Sequence, residues 1–209
     1  MKYEWRKQDK QLYLPKAQPT IIDVKEYAYF TLSGKGNPNG DYFAQAIGVL
    51  YSLSYAVKML PKRELAPQGY YEYTVFPLEG EWDLADKAKS DEPLDKDNLA
   101  YTIMIRQPDF ITDELAASII EYTKQKKPHA LLQHAKFERI TEGLCLQMLH
   151  LGSYDDEPAS FALMQQYCDD NDYIRAQKPH KEIYLTDARK TAPEKQKTTL
   201  RFSIEKIFN

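Results

Sequence analysis

The sequence predicts an α+β domain made of two similar halves, and three observations support this prediction. Segments rich in aromatic and β-branched residues, which favour strands, alternate with long stretches of helical periodicity. Each half shows the same order of elements: a strand, a glycine-containing turn, a buried helix and two more strands. The inner strand of each half carries a glutamate followed by a tyrosine, Glu72-Tyr73 and Glu182-Ile183-Tyr184. We therefore expect two pseudo-symmetric repeats around a central cleft, a junction of the kind that ligand sites favour.

The first half opens with a predicted strand over residues 27–32, which a turn cluster at 34–40 ends. Residues 41–60 have helical periodicity, with apolar stripes on two sides, so this helix is expected to be largely buried. Between the stripes runs a row of small residues that would let the helix lie close against a sheet: Ala44, Gly48, Ser52 and Ala56. Pro61 ends the helix.

Two more strands and a helix complete the first half. The strands are predicted over residues 70–77 and 100–107, and the charged stretch between them, residues 83–98, as a solvated connection. Thr112 is expected to cap the next helix. Its first turn is acidic and its last turn is rich in lysine, as the helix dipole favours, and Pro128 stops it.

The second half starts with a predicted hairpin of residues 136–140 and 144–151. An acidic helix start at residues 154–158, with proline where a helix tolerates it, leads into a helix that ends near Asp170. Its inner side is expected to carry Phe161, Met164, Tyr167 and Cys168. The last strands are predicted over residues 181–185 and 198–202. We treat residues 1–20 as an N-terminal extension and residues 21–209 as one domain, with halves of about 21–127 and 128–209.

Composition and charge exclude several classes of function. A net charge of −3 without a basic stripe argues against nucleic acid as a partner. No apolar stretch approaches the roughly 20 residues of a membrane span, and residues 1–10 lack the apolar core of a signal peptide. We therefore expect a cytoplasmic protein, monomer or homodimer. The cysteines, Cys145 and Cys168, fit no zinc or disulfide spacing, and the four histidines are scattered, so no metal or cofactor is expected.

Tyrosine is the one unusual feature of the composition. The chain has 16 tyrosines, roughly double average usage. A tyrosine joins an apolar body to a polar tip, which suits a cavity that holds and hydrogen-bonds an aromatic ligand. Ordinary core and surface tyrosines would explain the excess equally well.

Glu182 is the first candidate for chemistry. Side chains alternate along a strand, so Glu182 and Tyr184 share one face. The other face carries Lys181, Ile183 and Leu185. A carboxylate on the inner face of a sheet is costly unless it is paired or useful, and burial makes a carboxylate a better general base near neutral pH. The pattern leaves open which of the two faces is the inner one.

Several residues of the first half are candidates for a ligand site. Glu72 poses the same question of facing, because the opposite face of its strand, which includes Tyr71, is more aromatic and equally able to line a cavity. Tyr55 lies one helical turn from Tyr51, where core packing is the alternative role. Trp82 and Tyr101 flank the charged stretch, where each could stack on a planar ligand or close the edge of the domain.

Sequence motifs of nucleophilic enzymes are missing. The chain has no GxSxG elbow, HExxH helix or phosphate-binding glycine loop. Cys145 and His150 lie five positions apart on one predicted strand and so point to opposite faces, which excludes them as a catalytic pair.

Four stretches carry a resemblance to a known family. They are FPLEGEW (76–82), TIMIRQPDFIT (102–112), EGLCLQMLHLGSYDDEPASF (142–161) and HKEIYLTDARKTAPEKQKTTLR (180–201). Together they resemble the GyrI-like small-molecule-binding family, and the last two are the most specific. The resemblance covers most of the chain beyond about residue 20.

The resemblance implies two pseudo-symmetric βαββ repeats, the SOUL-like fold of the effector domains of multidrug-sensing regulators. Those domains bind planar or cationic hydrophobic drugs in a central cleft with a glutamate at its base, and Glu182 matches that glutamate. No DNA-binding segment precedes residue 20, so the chain resembles the stand-alone form. Some stand-alone relatives are cyclopropanoid cyclopropyl hydrolases, which open the strained ring of spiro-cyclopropyl cyclohexadienone genotoxins. Many relatives have tryptophan where this chain has Tyr101.

The resemblance thus implies a protein that binds a planar hydrophobic small molecule and hydrolyses cyclopropanoid compounds. Glu182 would activate water, and a tyrosine, for which we choose Tyr71, would stabilise the developing phenolate. The ligand-binding residues would be Tyr55, Trp82, Tyr101, Tyr184 and Glu72. The alternative is a non-catalytic protein that sequesters drugs or binds an effector. The missing DNA-binding segment makes a transcription regulator the least favoured reading.

Overall fold

The computed structural model describes residues 2–84 and 96–207. The chain forms two compact units, each assembled from two segments. The first unit contains Met1–Glu4 and Tyr27–Ile140, and the second contains Trp5–Glu26 and Thr141–Asn209. Both combine antiparallel strands with helices, so the predicted α+β class is confirmed. Most of the charged stretch at 83–98 lies outside the described residues.

The helices and strands are numbered along the chain. The α-helices are α1 (Trp5–Gln8), α2 (Lys10–Tyr13), α3 (Asp41–Lys58), α4 (Asp113–Lys126) and α5 (Glu157–Asp170). The strands are β1 (Thr20–Val24), β2 (Tyr27–Lys35), β3 (Leu78–Leu84), β4 (Leu99–Arg106), β5 (Lys136–Ile140), β6 (Gly143–Leu151), β7 (Tyr173–Arg175), β8 (His180–Tyr184) and β9 (Lys197–Lys206). In the described residues, no helix is both long enough and apolar enough to cross a membrane.

The first unit is an antiparallel sheet in the order β3-β4-β2-β5, against which α3 packs. Of the two predicted apolar stripes of α3, one is buried, with Leu53 and Val57 fully inaccessible, whereas the other is partly exposed, with Tyr55 at 48%. The expected role of the small residues is wrong, because Ala44 and Gly48 are exposed. The larger apolar side chains bury more surface, so they occupy the side of the helix that meets the sheet. Thr112 caps α4 as predicted, accepting a hydrogen bond from Leu115 N at 3.2 Å.

The second unit is an antiparallel sheet in the order β1-β6-β9-β8, with β7 also paired to β9. The inner side of α5 is as predicted, because Met164 and Cys168 are fully buried and Phe161 and Tyr167 pack beside them. Across from them lie Leu146, Met148, Leu200, Phe202 and Ile204 of the sheet. In chain order the first unit contains β2-α3-β3-β4, and the second contains β6-α5-β7-β8-β9, with the short strand β7 inserted after the helix. The pseudo-symmetry of the two repeats stays a prediction.

Two predicted elements are wrong. The hairpin does not form, because β5 pairs with β2 in the first unit while β6 pairs with β1 and β9 in the second. Residues 70–77 are not a strand but an extended segment whose described pairing is a single bridge between Tyr73 and Tyr3. The strand of this region is β3, which begins only at Leu78. An aromatic, β-branched composition favours a strand, but a strand also requires a paired neighbour.

Candidate functional site

Strand β8 presents two covered faces. Lys181, Ile183 and Leu185 are 4%, 0% and 6% exposed, so theirs is the better buried face. The side chain of Glu182, on the other face, is 13% exposed. The sequence did not decide which face of this strand is the inner one, and the structure places Glu182 on the less buried of the two. Helix α5 covers this face, because Glu157, the first residue of α5, lies against Glu182.

The Glu182 carboxylate is held by its own strand. The Tyr184 hydroxyl donates a hydrogen bond to Oε2 at 2.9 Å, and His180 Nε2 lies 3.0 Å from Oε1. A carboxylate is only an acceptor, so Nε2 carries the proton of this imidazole. The ring of Phe161 on α5 meets the His180 ring edge-on, with 4.8 Å between centroids, and holds it in place. His180 and Tyr184, two residues before and two residues after Glu182 on the same strand, therefore each contact one oxygen of its carboxylate.

Glu157 is a second carboxyl at the same place. It is 5% exposed, and it lies against Glu182, within reach of a hydrogen bond between the two carboxyls. Burial raises the pKa of Glu157 most, followed by the charge of Glu182, that hydrogen bond, and the charge of Asp155. In a pair of neighbouring carboxyls, the negative charge of one opposes the ionisation of the other.

A tight turn before α5 positions Glu157. Gly152 has φ of +135°, a conformation that favours glycine, and the chain then forms a 3-10 turn over Tyr154–Asp156. His150, at the end of β6, holds this turn: its Nε2 lies 2.8 Å from the Ser153 carbonyl and its Nδ1 lies 2.9 Å from the Ser160 hydroxyl. The carbonyl is only an acceptor, so Nε2 donates to it and Nδ1 accepts from Ser160. Buried His150 therefore has a structural role at the start of α5.

Tyr154 adds a phenol beside the two carboxyls. Its ring meets the Tyr184 ring edge-on, at 5.9 Å between centroids. Burial, followed by the charges of Glu182, Glu157 and Asp187, raises the pKa of Tyr154 to about 12. The hydroxyl therefore stays protonated near neutral pH and can donate a hydrogen bond. The site combines two carboxyls, of Glu182 and Glu157, with two phenols, of Tyr154 and Tyr184.

The opposite face of β8 is locked by a buried ionic network. Glu142 Oε1 lies 2.8 Å from Lys181 Nζ and 3.1 Å from Arg201 Nη1. Burial alone would raise the pKa of Glu142, but Lys181 and Arg201 outweigh it and lower that pKa to about 2. The N-terminal segment completes the network, because Arg201 Nη2 donates to the Leu12 carbonyl at 2.6 Å. Residues predicted as an extension thus close the back of the strand that carries Glu182.

The predicted site residues of the first unit lie in three places. Tyr71 belongs to an aromatic cluster with Tyr3 and Phe110, at 5.5 and 5.2 Å between ring centroids. The neighbouring Glu72 is exposed. Tyr55 is 48% exposed on the outer side of α3, one turn from Tyr51. Glu182 and Tyr184, by contrast, are brought together directly in the second unit.

Trp82 and Tyr101 form a buried pair. They face each other across β3 and β4 with 5.4 Å between ring centroids and are 6% and 4% exposed. Phe43 of α3 contacts both rings. Tyr101 lies over Gly34 of β2, where an added Cβ would come within 2.6 Å of the tyrosine oxygen. Burial, followed by Tyr42, raises the pKa of Tyr101 to about 12. Their roles in ligand binding stay predictions.

Sequence reasoning missed Glu157, His180 and Tyr154. The acids before Pro158 were interpreted only as an acidic helix start, yet periodicity identifies Glu157. The inner side of α5 contains Phe161, Met164 and Cys168, and four residues before Phe161 the same side of the helix reaches Glu157. A glutamate in line with an apolar stripe is a buried glutamate.

Comparison with known proteins assigns the class. A model of the GyrI-like small-molecule-binding domain matches residues 17–205. A search of the curated proteins gives no match. A hydrolase encoded by lin2189 from Listeria innocua is 35% identical over 98% of this chain and 100% of its own, with a TM-score of 0.90. Another hydrolase from Listeria innocua is 33% identical over 97% of this chain and 100% of its own, with a TM-score of 0.87.

A more distant likeness supports the fold alone. The C-terminal domain of EcmrR is 16% identical over 94% of this chain and 99% of its own, with a TM-score of 0.54. The fold and the matches define a small-molecule-binding domain. The chain belongs to the GyrI-like small-molecule-binding family, as its motifs predicted.

Proposed function

We propose that this protein binds planar hydrophobic small molecules and hydrolyses spiro-cyclopropyl cyclohexadienones, with Glu182 as the base that activates water. The observation that carries the proposal is the arrangement of Glu182. Its carboxylate is gripped by Tyr184 and His180, is only partly shielded from solvent, and lies beside a buried carboxyl. The likeness to two Listeria proteins named hydrolases supports an enzyme.

The proposed reaction balances with water as the only co-reactant. The oxygen of a water molecule bonds to the cyclopropyl methylene while one water proton passes to Glu182. The bond between that methylene and the spiro carbon breaks, and its electron pair enters the dienone, which becomes a phenolate. The phenolate then takes up a proton, and Glu182 returns its own to solvent. Relief of ring strain and aromatisation drive the reaction, so the protein supplies placement and a base worth about 10²–10⁴-fold in rate.

The remaining roles follow the sequence predictions. A tyrosine hydroxyl, assigned to Tyr71, would donate a hydrogen bond to the developing phenolate oxygen. Aromatic side chains at Tyr55, Trp82 and Tyr101 would stack on the planar ligand, with Tyr184 and Glu72 as polar contacts. In this proposal the protein is a cytoplasmic monomer or homodimer, and its biological role is to remove a genotoxin from the cell.

A second function uses the same site without chemistry. The protein would sequester the compound, and the acidic site with its phenols would only recognise it. The family description, a small-molecule-binding domain, supports this alternative directly.

Mass spectrometry separates the two functions. The purified protein is incubated with a spiro-cyclopropyl cyclohexadienone in ¹⁸O-labelled water, and the products are compared with those of a protein-free sample. Hydrolysis predicts a ring-opened product that is heavier by one labelled water and forms catalytically. Glu194→Gln, which changes an exposed carboxylate of the second unit, serves as the matched control. A stoichiometric complex from which the intact compound is recovered would refute hydrolysis and favour sequestration.

A further inference from the structure

Glu157 has a place in the molecule that helix capping does not explain. A glutamate in the first turn of a helix interacts favourably with the helix dipole while it remains in water. Glu157 is instead 95% buried, and its Oε1 has no hydrogen-bond partner among the described residues. An unpartnered buried oxygen is unfavourable, and a buried charge is more unfavourable still. The carboxyl is therefore placed where an ionised glutamate is unfavourable.

The site around Glu157, Glu182 and Tyr154 contains acids, phenols and imidazoles. From β8 they are Glu182, Tyr184 and His180. The turn before α5 contributes Tyr154 and Asp155, β6 contributes His150, and the loop after β8 contributes Asp187. His150 is committed to Ser153 and Ser160, and His180 donates to Glu182. Glu182 thus receives two hydrogen bonds from its own strand, whereas Glu157 has Glu182 as its hydrogen-bonding neighbour.

We propose that Glu157 is a positioning residue that keeps its proton and donates a hydrogen bond to Glu182, which makes Glu182 the single base of the pair. A carboxylate offers about four lone-pair sites. Tyr184, His180 and Glu157 fill three of them, so one remains for the water that Glu182 activates. The burial of Glu157, followed by its interactions with the Glu182 and Asp155 carboxyls, raises the pKa of Glu157, and this agrees with a retained proton. The role in turnover rests on the proposed function, but the proton on Glu157 does not.

Infrared spectroscopy tests the retained proton without any substrate. The wild-type protein at pH 7 should show the C=O stretch of a neutral, buried carboxyl that disappears in Glu157→Gln and persists in the control Glu194→Gln. In Glu182→Gln, which removes a neighbouring charge, this band should titrate at lower pH than in the wild type. A wild-type spectrum identical to that of Glu157→Gln at pH 7 would overturn the proposal.

The pH dependence of stability gives a second readout. The pKa of Glu157 is raised in the folded chain, so folding keeps a proton that the unfolded chain releases above about pH 4.3. The stability of the wild type should therefore fall, relative to Glu157→Gln, as the pH rises from 5 to 8. A difference in melting temperature that is constant over this range, as expected for Glu194→Gln, would contradict a raised pKa.

Turnover separates positioning from simple folding. Glu157→Ala should lower kcat at least tenfold with little change in KM, because the donor that orients Glu182 is lost. Glu157→Gln restores a donor through its amide and should recover most of that loss. Equal loss in both folded variants would overturn the positioning role. If the wild type hydrolyses nothing, the proposed function fails while the infrared and stability results still decide whether Glu157 holds the proton.

Discussion

Glu142→Gln should destabilise the protein strongly, because it removes a carboxylate that contacts two buried cations. Lys181 and Arg201 are 4% and 1% exposed and lie 2.8 and 3.1 Å from Glu142 Oε1. Breaking a buried ion pair from one side costs about 3–5 kcal/mol, since the buried charge that remains loses its counter-charge. The network lies behind Glu182, so its loss would also loosen the strand that carries the candidate base.

The pKa of Glu142 gives a second measure of the same effect. A value of about 2 in the folded chain, against 4.5 for an ordinary glutamate, is worth about 3 kcal/mol at neutral pH, at about 1.4 kcal/mol per pH unit. The pKa is lowered in the folded state, so this stability is complete above about pH 4.5 and is lost as the pH falls toward 2. About half of it should remain at pH 3.

Urea unfolding at pH 7 and at pH 3 tests both statements. The free energy of unfolding of Glu142→Gln should be about 3–5 kcal/mol below that of the wild type at pH 7, and the difference should shrink clearly at pH 3. Glu194→Gln, at an exposed position, should change stability by less than about 0.5 kcal/mol. A loss below about 1 kcal/mol at pH 7, or one that does not shrink at pH 3, would show that Glu142 does not compensate the two cations.

Three further substitutions test local packing and helix capping. Gly34→Ala should lower the free energy of unfolding by about 1–3 kcal/mol, because its Cβ would come within 2.6 Å of the buried Tyr101 ring. Gly48 is an exposed helical position where an added Cβ would have no atom within 4 Å, so Gly48→Ala should raise the free energy of unfolding by about 0.5–1 kcal/mol. Thermal melts that show the same change for Gly34→Ala and Gly48→Ala would contradict these expectations. Thr112→Ala removes the cap that accepts from Leu115 N and should cost about 1 kcal/mol in urea unfolding, so a neutral effect would show that the cap is not needed.

Periodicity was sufficient for the elements whose burial is local. The apolar stripe of α3 and the inner side of α5 were predicted because a helix repeats its facing side every three to four residues. The strands β2, β4, β8 and β9 were located because their β-branched and aromatic runs end at turn residues. The capping role of Thr112 followed from chemistry within a single turn.

Pairing between distant segments could not be predicted. Residues 136–140 and 144–151 were expected to pair because they are neighbours in sequence, yet each pairs with a strand far along the chain. Residues 70–77 have the composition of a strand, but their described neighbour is a single residue, Tyr3. Such partners depend on tertiary packing, which overrides local propensity.

The candidate site was predicted in part. Glu182 and Tyr184 were expected to share a face from strand alternation alone, and the structure places their carboxylate and hydroxyl 2.9 Å apart. Glu157 was missed because it was interpreted only as part of an acidic helix start, and the periodicity of the helix was not extended back from Phe161. The burial of Lys181 could not be predicted from its own strand. A lysine on the better buried face is explained by Glu142, which lies 39 residues away in sequence and beside Lys181 in the structure.

The central claim is that Glu182 is the base of a hydrolytic site, and turnover by Glu182→Gln tests it most directly. The amide has almost the shape of the carboxylate but cannot take a proton from water. Wild type and variant are incubated with the same spiro-cyclopropyl cyclohexadienone, and product formation is followed by mass spectrometry while affinity is measured with the intact compound. The account predicts affinity within a few-fold of the wild type and no catalytic product. Product formation at the wild-type rate would contradict it.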